Sequence, residues 1–420
     1  MIDQGIFKRL CRRIEEFRED MIRLQTELTA IPALAPESGG DGEELKARCL
    51  KERLRGWGFS SITDMDALDE RTSYGSRPNL IVRSGRPDAD RTVWILSHLD
   101  IVPPGELSLW RQDPYKAYVQ DGKIFGRGTE DNQQDLVASV FAVRAFLEEG
   151  VTPPNGMGLA FIADEETASC YGISHILAHP LNPFRRTDIV VVPDSGNPEG
   201  SLIEIAEKSV FWLRFRTLGK QGHASRPEAS VNAFLAASDL VLALHRRLHE
   251  RFNLSDPLFE PAESTFQPTK KEANVPNVNT IPGEDIFYLD SRVLPAYPLD
   301  EVMDVVSDVS RDVERRYGVV VETEEVQRVQ APGATAQDAP VVLGLQEAIQ
   351  EVYGVCACPR GIGAGTVAAY LRREGYPVAV WCKTENTAHQ PNEYCLLDNM
   401  IGNAKVFAHL FLQEPLTPSF

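Results

Sequence analysis

The 420-residue sequence has no run of about 18 uninterrupted apolar residues, so it offers no candidate for a membrane-spanning helix. It also has no basic excess: 43 Lys and Arg stand against 61 Asp and Glu, a formal charge of −18. A protein that grips nucleic acid by its phosphates needs a cationic footprint, so that class is disfavoured. Cysteine is sparse. The 7 thiols are an odd number scattered through a long chain, which suits a reducing compartment better than a disulfide framework. Cys356 and Cys358 form a C-x-C without a second pair, and are read as small buried side chains rather than a zinc or redox motif. The start, Met1-Ile2-Asp3-Gln4-Gly5, turns charged at once and carries no basic-then-apolar leader, so a cytoplasmic location is expected. Internal repeats and low-complexity tracts are not found either.

What is there is ordinary globular material, 43% apolar and 25% charged. The length suits two or three domains. Residues 6–28 repeat apolar side chains at helical spacing (Ile6, Leu10, Ile14, Phe17, Met21, Leu24, Leu28), and Pro32 and Pro36 follow. Strand-like and helix-like segments then alternate, which predicts an α/β fold with a mixed, largely parallel sheet flanked by helices. Four short apolar runs read as buried strands: Thr92–Ser97, Gly158–Ala163, Asp188–Val192 and Tyr376–Cys382. The first three lead directly into His98-Leu99-Asp100, Asp164-Glu165-Glu166 and Pro193-Asp194-Ser195, and the fourth is followed by His389. Ligands of open α/β sheets bind beyond the carboxyl ends of the strands, so acids and histidines are delivered to one edge.

The middle of the chain has a different rhythm. Strands at Ser209–Leu218, around Asn274–Ile281, near Phe287–Leu294 and at Val319–Glu322, with helices at Ser230–Phe252 and Leu299–Tyr317, give β-α-β-β-α-β, the ferredoxin-like order. The expected organisation is a catalytic domain in two segments, 1–205 and 327–420, with an inserted α+β domain at 206–326.

Each polar cluster has an ordinary reading of its own. Asp131, at the end of Gly126-Arg127-Gly128-Thr129-Glu130-Asp131, would pass for a helix N-cap. Glu165-Glu166 would pass for an acidic turn, and His98 with Asp100 for a surface pair. Together they say more. His98, Asp131, Glu166, Asp194 and His389 are five nitrogen and oxygen donors, enough for two ions that share one carboxylate. Adjacent glutamates after an apolar strand suit divided labour, one binding metal and the other moving protons. Asp100, two residues from His98, can fix that histidine's tautomer. His245 and His249 lie four apart on a helix, but Arg246 stands where a zincin pair has Glu, so they are read as a solvated helix face.

The runs SHLDIVPPG, W-x-x-D-P-Y from Trp110 to Tyr115, DGKIFGRGTED, IADEE, GKQGHASRPE, NTIPG and NTAHQPNEY occur in an order and spacing that resembles a group of di-zinc hydrolases. That group includes acetylornithine deacetylase, succinyl-diaminopimelate desuccinylase, aminoacylase, glutamate carboxypeptidase and several dipeptidases. The resemblance runs from about residue 20 to 412. It implies two Zn2+ (Co2+ or Mn2+ in their place), one held by His98, Asp131 and Asp194, the other by Asp131, Glu166 and His389. It implies Glu165 as the catalytic glutamate, Asp100 as the partner of His98, and a cis peptide after Asp131. His223, Asn279 and Arg292 resemble substrate-binding residues of a lid and dimerisation domain, and Gly363-Ala364-Gly365-Thr366 a substrate loop. The implied substrate is a small N-acyl amino acid or a dipeptide, and the implied assembly a homodimer through the lid. A family member that has lost catalysis is the remaining alternative. Asn132-Gln133-Gln134 departs from the Asp-x-Lys-Gly of many relatives. Val367-Ala368-Ala369 replaces a polar continuation of the loop, and Asp194 stands where many deacylases carry Glu, which leans towards the dipeptidases.

Overall fold

The structure is a computed structural model that describes residues 2–363 and 365–414. The chain divides into two compact units. One is Met1–Ile205 with Thr335–Arg360 and Thr366–Phe420; the other is Ala206–Ala334 with Gly361–Gly365. The boundary expected at 326/327 is displaced, because the strand Val320–Val329 runs through it.

The first unit is built on an eight-stranded sheet. Its strands include β1 (Ser61–Asp64), β2 (Leu80–Gly85), β3 (Thr92–His98), β4 (Gly156–Ile162), β5 (Ile189–Asn197) and β6 (Leu202–Glu207). After the second unit the sheet takes up Cys358–Ile362 and Val378–Lys383. The spatial order is β1, β2, β4, β3, β5, Val378–Lys383, β6, Cys358–Ile362. The centre is parallel: β3 pairs with β4 and β5, and Val378–Lys383 with β5. The flanks bring antiparallel pairs, β1 with β2, β2 with β4, and β6 with Val378–Lys383. All seven residues of β4 are buried, which is why its sequence is a continuous apolar run rather than an alternating one. Gly158 is needed there because Trp94 of β3 lies flat against it; a Cβ would fall 2.2 Å from the indole.

Helices cover the sheet. The amphipathic stretch near the start forms two helices, Gln4–Glu16 and Arg18–Thr29, parted at Phe17. Gln134–Glu149 and Leu397–Leu412 are buried on nearly every face and pack against each other. The described helices include none long and apolar enough to cross a membrane. Cys356 and Cys358 correct an expectation: both thiols are exposed, at the approach to and start of Cys358–Ile362.

The second unit has the chain order β-α-β-β-α-β: Ser209–Leu218, Ala233–Arg251, Thr265–Lys271, Glu284–Val293, Leu299–Tyr317 and Val320–Val329. Its four-stranded antiparallel sheet packs its apolar face, including Phe211, Phe215, Phe266 and Phe287, on Leu240, Leu244, Val302 and Val306 of the helices. The second strand is not at Asn274–Ile281 as expected. It lies at Thr265–Lys271, where Pro268 is tolerated because the strand is an edge. Asn274 to Asn279 is mostly loop, and only Thr280–Ile281 pairs, with Gly222–His223.

Candidate metal centre

Four segments of the first unit meet at the carboxyl edge of the parallel strands. β3 ends at His98, β4 leads into Asp164-Glu165-Glu166, and β5 carries Asp194. His389 follows Val378–Lys383 in a left-handed conformation, φ 63°. Asp131 comes from a wide turn, Thr129–Gln133, just before the helix Gln134–Glu149, and its peptide bond to Asn132 is cis. Gly128 opens that turn at φ 81°, and a Cβ there would come within 2.5 Å of Gln133 and Ile101.

The side chains form two triads joined at one carboxylate. His98 Nε2 lies 3.0 Å from Asp131 Oδ1 and 3.2 Å from Asp194 Oδ1. His389 Nε2 lies 3.0 Å from Asp131 Oδ2 and 3.2 Å from Glu166 Oε2. Both groups, His98 with Asp131 and Asp194 and Asp131 with Glu166 and His389, keep their ligand atoms within 4.8 Å of one another. Two donors each about 2.0–2.1 Å from a tetrahedral ion stand roughly 3.3 Å apart, so these separations are close to the edges of coordination polyhedra. One ring nitrogen carries at most one proton, yet each Nε2 faces two carboxylates. Glu166 Oε1 is buried without a partner among the described residues. An acid-rich donor set of this kind fits a pair of divalent cations.

The electrostatics show the same imbalance. Burial pushes His98 down, but the charge of Asp194 and hydrogen bonds to Asp100, Asp131 and Asp194 prevail and hold it well above the usual range. His389 is pushed up to about 10 by its bonds to Asp131 and Glu166. Burial would raise Asp131, yet the two histidines hold it below the usual carboxylate range. Glu166 is raised to about 7 by burial and then by the charge of Asp131. Glu165 is raised well above its ordinary value, by burial first and then by Asp194. Among the described residues its carboxylate makes no hydrogen bond or ion pair.

The supporting residues are more numerous than the sequence suggested. His98 Nδ1 is 3.0 Å from the main-chain oxygen of Asp100 and 3.5 Å from its Oδ1. The Asp100 carboxylate accepts the main-chain N–H groups of Glu165 and Glu166, at 3.1 and 2.9 Å, and so holds both glutamates. Asn132 Nδ2 donates to Pro193 O and to Asp194 Oδ1, at 2.6 and 3.0 Å, which aims Asp194. Two buried acids form a reciprocal clasp. Glu393, itself paired with Arg127, accepts the N–H groups of Glu130 and Asp131. Glu130 accepts those of Glu385, Thr387 and Ala388, and the Thr387 hydroxyl. Each ligand-bearing loop is thus held by a carboxylate from the other.

In the second unit, His223 and Asn279 are drawn together by the short Gly222–His223 ladder and by Ala224 N–H donating to Asn279 O, 2.9 Å. His223 Nδ1 accepts the Ser225 N–H at 3.1 Å, which puts a ring proton on Nε2. Arg292 is already engaged: its fork donates to both oxygens of Asp290, at 2.8 and 3.1 Å, and to Gly363 O at 2.8 Å. Gly365 is exposed, Thr366 is buried with its hydroxyl accepting the Ala368 N–H, and Ala364 lies outside the described residues. Glu130, Glu393 and Asn132 were missed from the sequence. Their only signal was adjacency, since Glu130 and Asn132 flank Asp131 and Glu393 lies four residues beyond His389.

Paired imidazole–carboxylate triads beyond the ends of parallel strands are a donor set suited to metal-dependent hydrolases. Residues 94–413 match peptidase family M20/M25/M40, and the chain belongs to that family. It is 37% identical over 404 residues to an uncharacterized metallohydrolase of Methanocaldococcus jannaschii, 93% of this chain and 98% of that one. A succinyl-diaminopimelate desuccinylase of Cereibacter sphaeroides is 29% identical over 267 residues, 63% of this chain and 65% of that enzyme. Human carnosine dipeptidase 1 shares the fold, with a TM-score of 0.74 over 98% of this chain and 99% of that one at 17% identity. The protein is a metal-dependent amidohydrolase or peptidase.

Proposed function

We propose that the protein is a di-zinc hydrolase that cleaves the amide bond of a small N-acyl amino acid, of the deacetylase or desuccinylase kind. The observation that carries this reading is the pair of triads sharing Asp131 beside the unengaged carboxylate of Glu165. Bound by His98, Asp131 and Asp194 and by Asp131, Glu166 and His389, two zinc ions (or cobalt or manganese) would activate water and polarise the substrate carbonyl.

The chain's own groups do the rest. Glu165 takes the proton of the attacking water and passes it to the leaving nitrogen. Asp100 keeps Glu165 and Glu166 in place through their N–H groups, so the base and the ligand beside it cannot exchange positions. His223 presents its Nε2 proton to the substrate carbonyl oxygen, from the partner protomer of a homodimer formed through the second unit, which acts as lid, and Asn279 binds the same oxygen. Arg292 keeps two N–H groups for a substrate carboxylate, but Asp290 already balances its charge. Its larger contribution is to hold Gly363, whose main-chain oxygen it binds. The cytoplasm is the proposed compartment. A dipeptidase or carboxypeptidase is the second reading, favoured by Asp194.

Metal-loaded protein assayed on N-acetyl and N-succinyl amino acids beside dipeptides, with metal content measured on the same sample, tests both. Turnover confined to dipeptides moves the assignment to the second reading. Full activity with fewer than two ions per chain overturns the paired-metal mechanism.

A further inference from the structure

The first unit has a polar cavity at the end of its sheet opposite the metal centre. β3 begins at Thr92, on this cavity, and ends at His98. Six strand steps of about 3.3 Å separate the two by roughly 20 Å. The cavity measures about 470 Å³ and is lined by Arg83, Arg86 and Arg185, the hydroxyls of Ser61 and Ser84, and an apolar wall that includes Leu147 and Met157. It has no Asp or Glu among its described lining residues, in a chain with a formal charge of −18.

The guanidinium groups are held in a way that preserves their charge. Arg83 donates to the main-chain oxygen of Pro183 at 2.9 Å and lies 5.5 Å from the Trp94 ring. Arg185 donates to Ala89 O at 3.0 Å. Both acceptors are neutral carbonyls. The Arg86 side chain makes no hydrogen bond or ion pair among the described residues; its main-chain oxygen accepts the Ala89 N–H at 3.4 Å. Elsewhere in the same unit, Arg77 and Arg127 are paired with Glu43 and Glu393. Asp188 lies behind the lining and accepts the main-chain N–H groups of Thr92 and Arg185, at 2.8 and 2.9 Å, but its carboxylate forms no ion pair with the three guanidinium groups among the described residues. Two positioned forks, one unengaged cationic side chain and two hydroxyls then make a receptor for an anion with several acceptor oxygens. The volume is that of a small-molecule site, and the apolar wall suits a short hydrocarbon part.

We propose that this cavity binds a small organic oxyanion of at least two negative charges, a phosphate ester or a dicarboxylate, independently of the metal centre. The proposal does not rest on the hydrolytic reading. Inorganic phosphate and glutarate are titrated separately into the full-length, metal-loaded protein by calorimetry, for the wild type and for Arg86→Gln and Arg185→Gln. The expected result is saturable binding of at least one probe, weakened by about tenfold in each variant, with amide hydrolysis unchanged. Tighter phosphate assigns the phosphate ester, and tighter glutarate the dicarboxylate. Arg86→Gln is decisive because the Arg86 side chain bonds to nothing else among the described residues; an unchanged melting temperature shows that it folds. Absence of saturable binding by either probe overturns the proposal. So does binding that both variants leave intact, which would place the anion at the metal centre.

Discussion

Glu130 offers the sharpest test of how the metal centre is held together. It is 6% exposed, and its Oε1 accepts the Glu385 N–H at 2.5 Å. Its Oε2 accepts the N–H groups of Thr387 and Ala388 and the Thr387 hydroxyl, the last two at 3.0 and 2.8 Å. In Glu130→Gln only one acceptor oxygen remains. Its best placement serves Thr387 and Ala388 and turns the new NH2 against the Glu385 N–H. One buried donor left unpaired costs about 1–3 kcal/mol. Loss of the negative charge weakens three further bonds, by roughly half each. The sum is on the order of 4 kcal/mol of stability. His389 follows Ala388 directly, so the Glu166 side of the centre should lose about 10- to 100-fold in metal affinity while the Asp194 side keeps most of its own. Guanidinium unfolding and competition with a chromogenic chelator measure the two effects on one sample. A variant within about 0.5 kcal/mol of wild type that binds both ions with unchanged affinity would refute the clasp.

Three other substitutions probe different links. Glu165→Gln should bind metal normally and lose about 10²- to 10⁴-fold in kcat, read from steady-state rates and metal analysis; a wild-type rate would remove Glu165 as the base. Asn132→Ala frees Asp194 to rotate and should cost about 10- to 100-fold in affinity at the ion on that side only, resolved by stepwise metal titration. His409 is 1% exposed and burial holds its pKa down to about 4. A depressed histidine contributes stability that is whole above its unfolded pKa, about 6.5, and lost as pH falls through 4. Wild type should therefore lose up to about 3 kcal/mol over that window that His409→Gln does not, a difference visible in urea midpoints measured between pH 7 and 4.

His98, Glu165, Glu166 and Asp194 were legible because each stands at or just beyond the carboxyl end of a strong apolar strand core, while Asp131 and His389 come from turns. A run such as Thr92–His98 can be read as buried, and what stands at its end must then face the sheet's carboxyl edge. The supporting acids were not legible. Glu130 and Glu393 lie 263 residues apart in the chain, and nothing local says that each accepts hydrogen bonds from the other's loop. The Asp290–Arg292 pair was readable in principle, since residues two apart on a strand share a face. The strand Thr265–Lys271 was obscured by Pro268, which excludes a central strand but not an edge. The exposure of Cys356 and Cys358 follows from their place at the start of the last strand in the sheet order, which burial statistics for cysteine do not register.

The clasp also fixes when the centre can exist. The loop that carries Asp131 is held by Glu393, and the loop that carries His389 by Glu130. A ribosome adds residues from the amino end, and some 260 of them separate the two partners, the whole second unit among them. Until Val378–Lys383 and the loop after it have been made, the Asp131 N–H lacks the Glu393 carboxylate and the second triad has no histidine. On the proposed reading, hydrolytic capacity arrives in one late step of synthesis, and a chain arrested before residue 385 would carry most of the fold without the second triad.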